Sequence, residues 1–157
     1  MPAQGNTMPK RELRHPHQVE QWLENWSQKL TRPASLILIG SVALLWHAHQ
    51  KGDNPTPSEH TTNPDVVTDD EELLTLCYDA IIGSPFELEH GWHINLMPHE
   101  ALDHLPADWP DRAHHKQYQL LTLTVPAPED LLVPKLKRAE PRDLAHHRWA
   151  QQHHLIP

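Results

Sequence analysis

A chain of 157 residues has room for one domain, able to hide about two-thirds of its unfolded surface, and is short for two. Its hydrophobic share of 38%, with six Trp but one Phe and two Tyr, is low for a globular chain yet too high for disorder, so a packed core with polar margins is expected. A formal net charge of −8 excludes broad affinity for nucleic-acid backbones, which needs a basic surface, and DNA is not an expected partner.

Residues 1–16 carry charges and are interrupted by Pro16 but have no apolar h-region, which speaks against a signal or transit peptide and leaves a flexible tail ahead of a single domain at 17–157. Val19, Trp22, Leu23, Trp26 and Leu30 then line one face of a helix that stops before Thr31-Arg32-Pro33. Ser35 to Ile39 is an uninterrupted apolar run, the pattern of a buried strand, and Gly40-Ser41 turns it into a helical segment from Val42 to His49. The apolar stretch Leu36 to Trp46 falls well short of the roughly 20 residues of a membrane-spanning helix. Lys51 to Asn63 is loop-like, with Gly, Asp, Asn, two Pro, Ser and Thr.

Asp65 to Thr68 predicts a brief strand, and Thr68 with Glu71 a capping box that puts Asp69 and Asp70 at the start of a helix through Leu73, Leu74, Cys77 and Ile81, closed by Gly83. The single cysteine, Cys77, lacks a disulfide partner within the chain and lies on the apolar face of that helix, which predicts a buried thiol in a reducing compartment, the cytoplasm by default. Phe86 and Leu88, then Trp92, Ile94 and Leu96, alternate with polar residues, predicting two strand segments around a His90-Gly91 turn. Pro98 to His115 reads as a connector and Leu121 to Val125 as another strand. Glu129 and Asp130 suit a helix first turn after Pro126-Ala127-Pro128; Pro134 predicts either a kink or a new helix, and Pro141 opens the last one. The sum is an α/β (α+β) domain with a mixed sheet of four or five strands flanked by helices.

Three features bear on chemistry. Gly40-Ser41, between a buried strand and a helix start, leaves backbone N–H groups that suit a phosphate. Lys135, Lys137, Arg138, Arg142 and Arg148 gather five of the 13 basic residues near the C-terminus of an acidic chain, a pattern that fits a triphosphate, an RNA backbone or a solvated helix face. The fifteen histidines, among them the pairs His15/His17, His47/His49, His114/His115, His146/His147 and His153/His154, lack zinc-ligand spacing and read as surface residues.

The order of these features from Ser35 to Ile156 resembles the minimal nucleotidyltransferase family, including its relatives in bacterial toxin–antitoxin operons. The resemblance is carried by the strand-Gly-Ser-helix Leu36 to His49, by Thr61-Thr62-Asn63-Pro64-Asp65-Val66-Val67-Thr68, by Leu123-Thr124-Val125-Pro126-Ala127-Pro128-Glu129-Asp130-Leu131-Leu132 with Lys135-Leu136, and by Arg142-Asp143. In that family a Thr-x-Asp-x-Asp segment and a third carboxylate on a neighbouring strand hold two divalent metals. The resemblance puts Asn63 at the first aspartate, Asp65 at the second and Asn95 at the third, so one of the three expected carboxylates is kept. It also implies that Gly40, Ser41, Lys135 and Arg142 hold the phosphates of an NTP, that Asp65 is the ligand for a weakly bound Mg²⁺, and that His146 stands where relatives often carry a further aspartate.

The function implied is that of a weak or inactive NTP-binding member of a toxin–antitoxin type system, which if active transfers a nucleotidyl group to a protein or RNA hydroxyl. The expected partners are a nucleotide and a co-encoded protein or RNA, with no membrane. The alternative is a non-catalytic protein-interaction module on a retired nucleotidyltransferase fold, binding its partner through the Trp-rich N-terminal helix.

Overall fold

In the computed structural model, which describes residues 16–52 and 63–157, the chain builds one five-stranded mixed sheet with helices packed around it. Of the expected tail at 1–16, residues 1–15 lie outside the described residues and Pro16 belongs to a helix; most of the expected loop, 53–62, also lies outside them. Helix α1 is Pro16–Lys29, and its apolar stripe buries Val19, Trp22, Leu23 and Trp26. Trp22 stands edge-on to Trp26 at 5.2 Å and to Trp92 at 6.1 Å, so these tryptophans pack in the core.

Strand β1, Ala34–Ile39, is the middle of the sheet, with Leu36 and Leu38 fully buried. Helix α2, Gly40–Gln50, follows without a connecting residue and buries every side chain from Val42 to Ala48. A helix apolar on all sides belongs inside the molecule, and both α1 and α5 pack against this one. That placement overturns the surface assignment for His47, which is buried and donates from Nε2 to the carbonyl of Pro126 at 2.8 Å. Burial holds its pKa down to about 4.

The strands lie in the order β3-β2-β1-β5-β4, where β2 is Asp65–Val67, β3 Asn95–Leu96, β4 His114–Tyr118 and β5 Leu121–Val125. β1 runs parallel to β5 and antiparallel to β2, β2 is parallel to β3, and β4 is antiparallel to β5. Two registers position the site: Ile39 faces Asp65, and Asp65 faces Asn95.

The five strands match the expected number but not the expected set. Phe86 and Leu88 belong to helix α4, Pro85–His90, because local start and stop signals outweigh the alternation. Ser84 accepts from the Glu87 N–H, Pro85 fills the first helical turn, and Gly91 at φ +82 ends it with a bond to the Glu87 carbonyl. Strand β4 begins within the expected connector, at His114 and His115, and continues through Lys116–Tyr118, where no element was expected; it is a polar edge strand. Lys116 and Tyr118 both reach Glu20 of α1, at 2.6 and 2.9 Å, while His115 and Gln117 on its other face bond Thr124 and Thr122.

Helix α3, Glu71–Asp79, is capped by Asp70, whose Oδ1 accepts from Leu73 N, and not by Thr68. The Thr68 hydroxyl donates to the Ser35 carbonyl and accepts from Asp70 N, tying β2 to β1. The helix stops at Ala80, short of Gly83, which leaves Ile81 exposed while Cys77 is buried as expected. Helix α5, Pro128–Arg138, runs through Pro134 as one element, and α6 is Pro141–Gln152. Among the described residues no helix is long and apolar enough to cross a membrane.

Candidate functional site

At the edge where β1 passes into α2, the backbone turns at Gly40 with φ +78, a conformation in which side chains are strained. Glycine is required there for a second reason: a Cβ would lie 2.7 Å from Oδ2 of Asp65. The pairing of Ile39 with Asp65 brings that carboxylate across the strand end and onto the glycine. Ile39, at the cap position, offers no side-chain acceptor, so α2 begins at the cleft without a side-chain cap.

One strand over, Asn95 donates from Nδ2 to Asp65 Oδ1 at 3.0 Å. Its carbonyl oxygen therefore faces Nε2 of His93, also at 3.0 Å, and Nδ1 of His93 sits 2.5 Å from a Glu87 carboxylate oxygen. Asn63 accepts from the His93 backbone N–H at 2.9 Å. His93 thus holds both asparagines, and Glu87 on α4 holds His93. Burial raises the pKa of Asp65, while the Asn95 hydrogen bond, Lys135, Arg138 and His93 pull it down.

Helices α5 and α6 supply the opposite wall. Lys135 is buried, 7% exposed, and its ammonium donates to His146 Nδ1 at 3.0 Å; among the described residues no carboxylate is within ion-pair distance of it. Burial brings its pKa down to about 8, against the opposing pull of Asp143. Asp143, fully buried, grips Arg138 through two bonds of 3.0 and 2.6 Å and completes the capping box of α6 with Glu140. Arg142 is exposed, with Glu140 at 3.7 Å. His146 is buried, another correction to the surface reading of the histidines.

All seven residues singled out in the sequence, Gly40, Ser41, Asn63, Asp65, Asn95, Lys135 and Arg142, line one cleft of about 470 Å³, together with Arg138, His104 and His146. Sequence reasoning missed His93 and Glu87, because the pattern around them read as a hairpin; Ser84-Pro85 and Gly91 were the available signals of a helix. It named Arg138 only as part of a basic cluster.

Among the described residues the donor set does not fit a pair of divalent cations. Hard cations such as Mg²⁺ are held by carboxylate oxygens, and among the described residues Asp65 is the one carboxylate lining the cleft. Among the described residues no three His, Cys, Asp or Glu side chains gather as a metal-binding group. The asparagine oxygens each accept one hydrogen bond from His93 and Asp65 Oδ1 accepts one from Asn95, whereas Asp65 Oδ2 accepts none among the described residues.

A family model described as "Nucleotidyltransferase of unknown function (DUF6036)" matches residues 17–156. Nothing matches among curated proteins or among solved structures.

Proposed function

This chain belongs to that family of nucleotidyltransferases of unknown function, and from this premise we propose that its cleft binds a nucleoside triphosphate with little or no transfer activity. The observation that carries the reading is the meeting, in one cleft, of the glycine turn at the start of α2 with Lys135, Arg138 and Arg142. A helix start and a cationic wall are what a polyphosphate needs: aligned amides and a positive dipole end on one side, charged donors on the other. Lys135 uses one of its three N–H donors on His146 and keeps two for the ligand.

The weakness of transfer follows from Asp65 standing with two asparagines. Family chemistry needs several negative charges to assemble metals, and amide oxygens bind hard cations poorly, so Mg²⁺ reaches this site weakly, on Asp65 Oδ2 and the phosphates. Any remaining transfer goes to a protein or RNA hydroxyl, and a toxin–antitoxin setting with a co-encoded partner is the context the sequence resemblance suggests.

The test is calorimetric titration of the purified protein with ATP, CTP, GTP and UTP. Binding of at least one, weakened about tenfold by Arg142→Ala, is the expected result, since losing one exposed charge-assisted contact costs on the order of 1.4 kcal/mol. No binding of any of the four overturns the reading.

One observation favours the second reading, a protein-interaction module. Tyr78, Ile82 and Leu88 are 61%, 71% and 82% exposed around the α3–α4 corner. Co-purification with a co-encoded protein that is lost in Ile82→Asp, while nucleotide binding is absent, would select it.

A further inference from the structure

We propose that this cleft takes the polyphosphate of its nucleotide without a divalent cation, the fixed charges of Lys135, Arg138 and Arg142 standing in for metal. The inference rests on the nucleotide reading above and goes further by naming the form of ligand bound: the free polyphosphate, not its metal complex.

The argument starts from where the oxygens point. In a metal site at this sheet edge, oxygens of residues 63, 65 and 95 would converge on the ion. Here the side-chain oxygens of Asn63 and Asn95 both turn to His93, at 2.9 and 3.0 Å. The group that Asn95 turns to Asp65 is its NH₂, at 3.0 Å, a donor occupying the place of a ligand. Flipping the amide would set a carbonyl against a carboxylate and remove the acceptor from His93 Nε2. The Glu87–His93 pair, at 2.5 Å, fixes the imidazole from behind, so the His93 side chain positions the Asn95 amide, while its backbone N–H holds Asn63.

The opposite wall supplies the complementary charge. Lys135 is buried with no carboxylate in ion-pair distance among the described residues, an arrangement that costs solvation unless an anion arrives to replace the lost water. Arg138 is held rigid by Asp143, and Arg142 lies at the cleft mouth. Two of the four charges of a triphosphate are cancelled when Mg²⁺ chelates it, so a wall of fixed cations prefers the unchelated form.

The experiment is calorimetry of the full chain with each of ATP, CTP, GTP and UTP, in EDTA and again in Mg²⁺, on the wild type, Arg142→Ala and the double variant Asn63→Asp/Asn95→Asp. Thermal melts run alongside to show that the variants fold. The expected result is a wild-type Kd in EDTA equal to or lower than that in Mg²⁺, weakened about tenfold in both by Arg142→Ala. The double variant surrounds Asp65 with carboxylates and is expected to lose binding in EDTA and regain it in Mg²⁺. Wild-type binding that needs Mg²⁺ overturns this inference and leaves the nucleotide reading standing. No binding in either condition overturns both. Should the double variant fail to fold, the wild-type comparison and Arg142→Ala still decide.

Discussion

Gly40 is where backbone, packing and charge meet. Its positive φ and the 2.7 Å approach of Asp65 Oδ2 to the position of a Cβ both exclude a side chain. Gly40→Ala is therefore expected to destabilise the fold by about 2 kcal/mol, the cost of a strained backbone, and to push Asp65 away from Asn95. Urea denaturation checks the first effect and loss of nucleotide binding the second. His47 provides a pH test. Its folded pKa, about 4, lies below the 6.5 of the unfolded chain, so the unfolded state binds the extra proton. Stability from this residue is complete above pH 6.5 and is lost as the pH falls toward 4, by about 3 kcal/mol, and His47→Gln flattens that slope in melts taken between pH 7 and 4. At this scale the sequence was legible where a role is local. Gly40-Ser41 announces a turn by itself, whereas His93 matters through Glu87 and two asparagines, and no spacing between them reveals that.

Helix α5 decides between the two alternatives that Pro134 left open: it is one element, not two. Pro134 removes one backbone hydrogen bond, yet the helix continues, anchored by buried Leu131, Leu132 and Lys135 and by the Arg112–Asp130 ion pair at 2.9 Å. It ends at Ala139, which takes the left-handed conformation at φ 54, a place that favours glycine. Ala139→Gly is expected to raise stability by up to about 1 kcal/mol, the left-handed strain relieved less the extra freedom gained by the unfolded chain, read as a higher denaturation midpoint with unchanged slope. The misreadings of elements have physical causes. The period-2 pattern from Phe86 to Leu96 coincides with alternation in a short helix followed by an extended segment, and only the Ser84 cap and the Gly91 stop distinguish them. Strand β4 has no apolar alternation because it is an edge, and its polar side chains find Glu20, Thr122 and Thr124 only in the folded molecule.

Across the whole molecule, the pieces that carried the family resemblance are far apart in the chain and adjacent in the fold. The parallel pairing of β1 with β5 puts α2 and α5, which follow these strands, on the same side, so the Gly40 turn faces the basic wall. The family match begins at residue 17 and so includes α1, which lay outside the resemblance from Ser35 to Ile156. The buried Val19, Trp22, Leu23 and Trp26 explain why: α1 is part of the core and carries no residue of the cleft. The net charge of −8 argues against broad nucleic-acid affinity, and the fold concentrates Lys135, Arg138 and Arg142 on one wall.

The most direct test of the central claim is a ¹⁵N-labelled NMR titration of the full chain with ATP, CTP, GTP and UTP, following backbone amides. The account predicts that at least one nucleotide shifts Gly40, Ser41, Asn95 and Lys135, with His115 and Gln117 on the far edge unmoved. No shift from any of the four, or shifts that avoid the Gly40 turn, would contradict it.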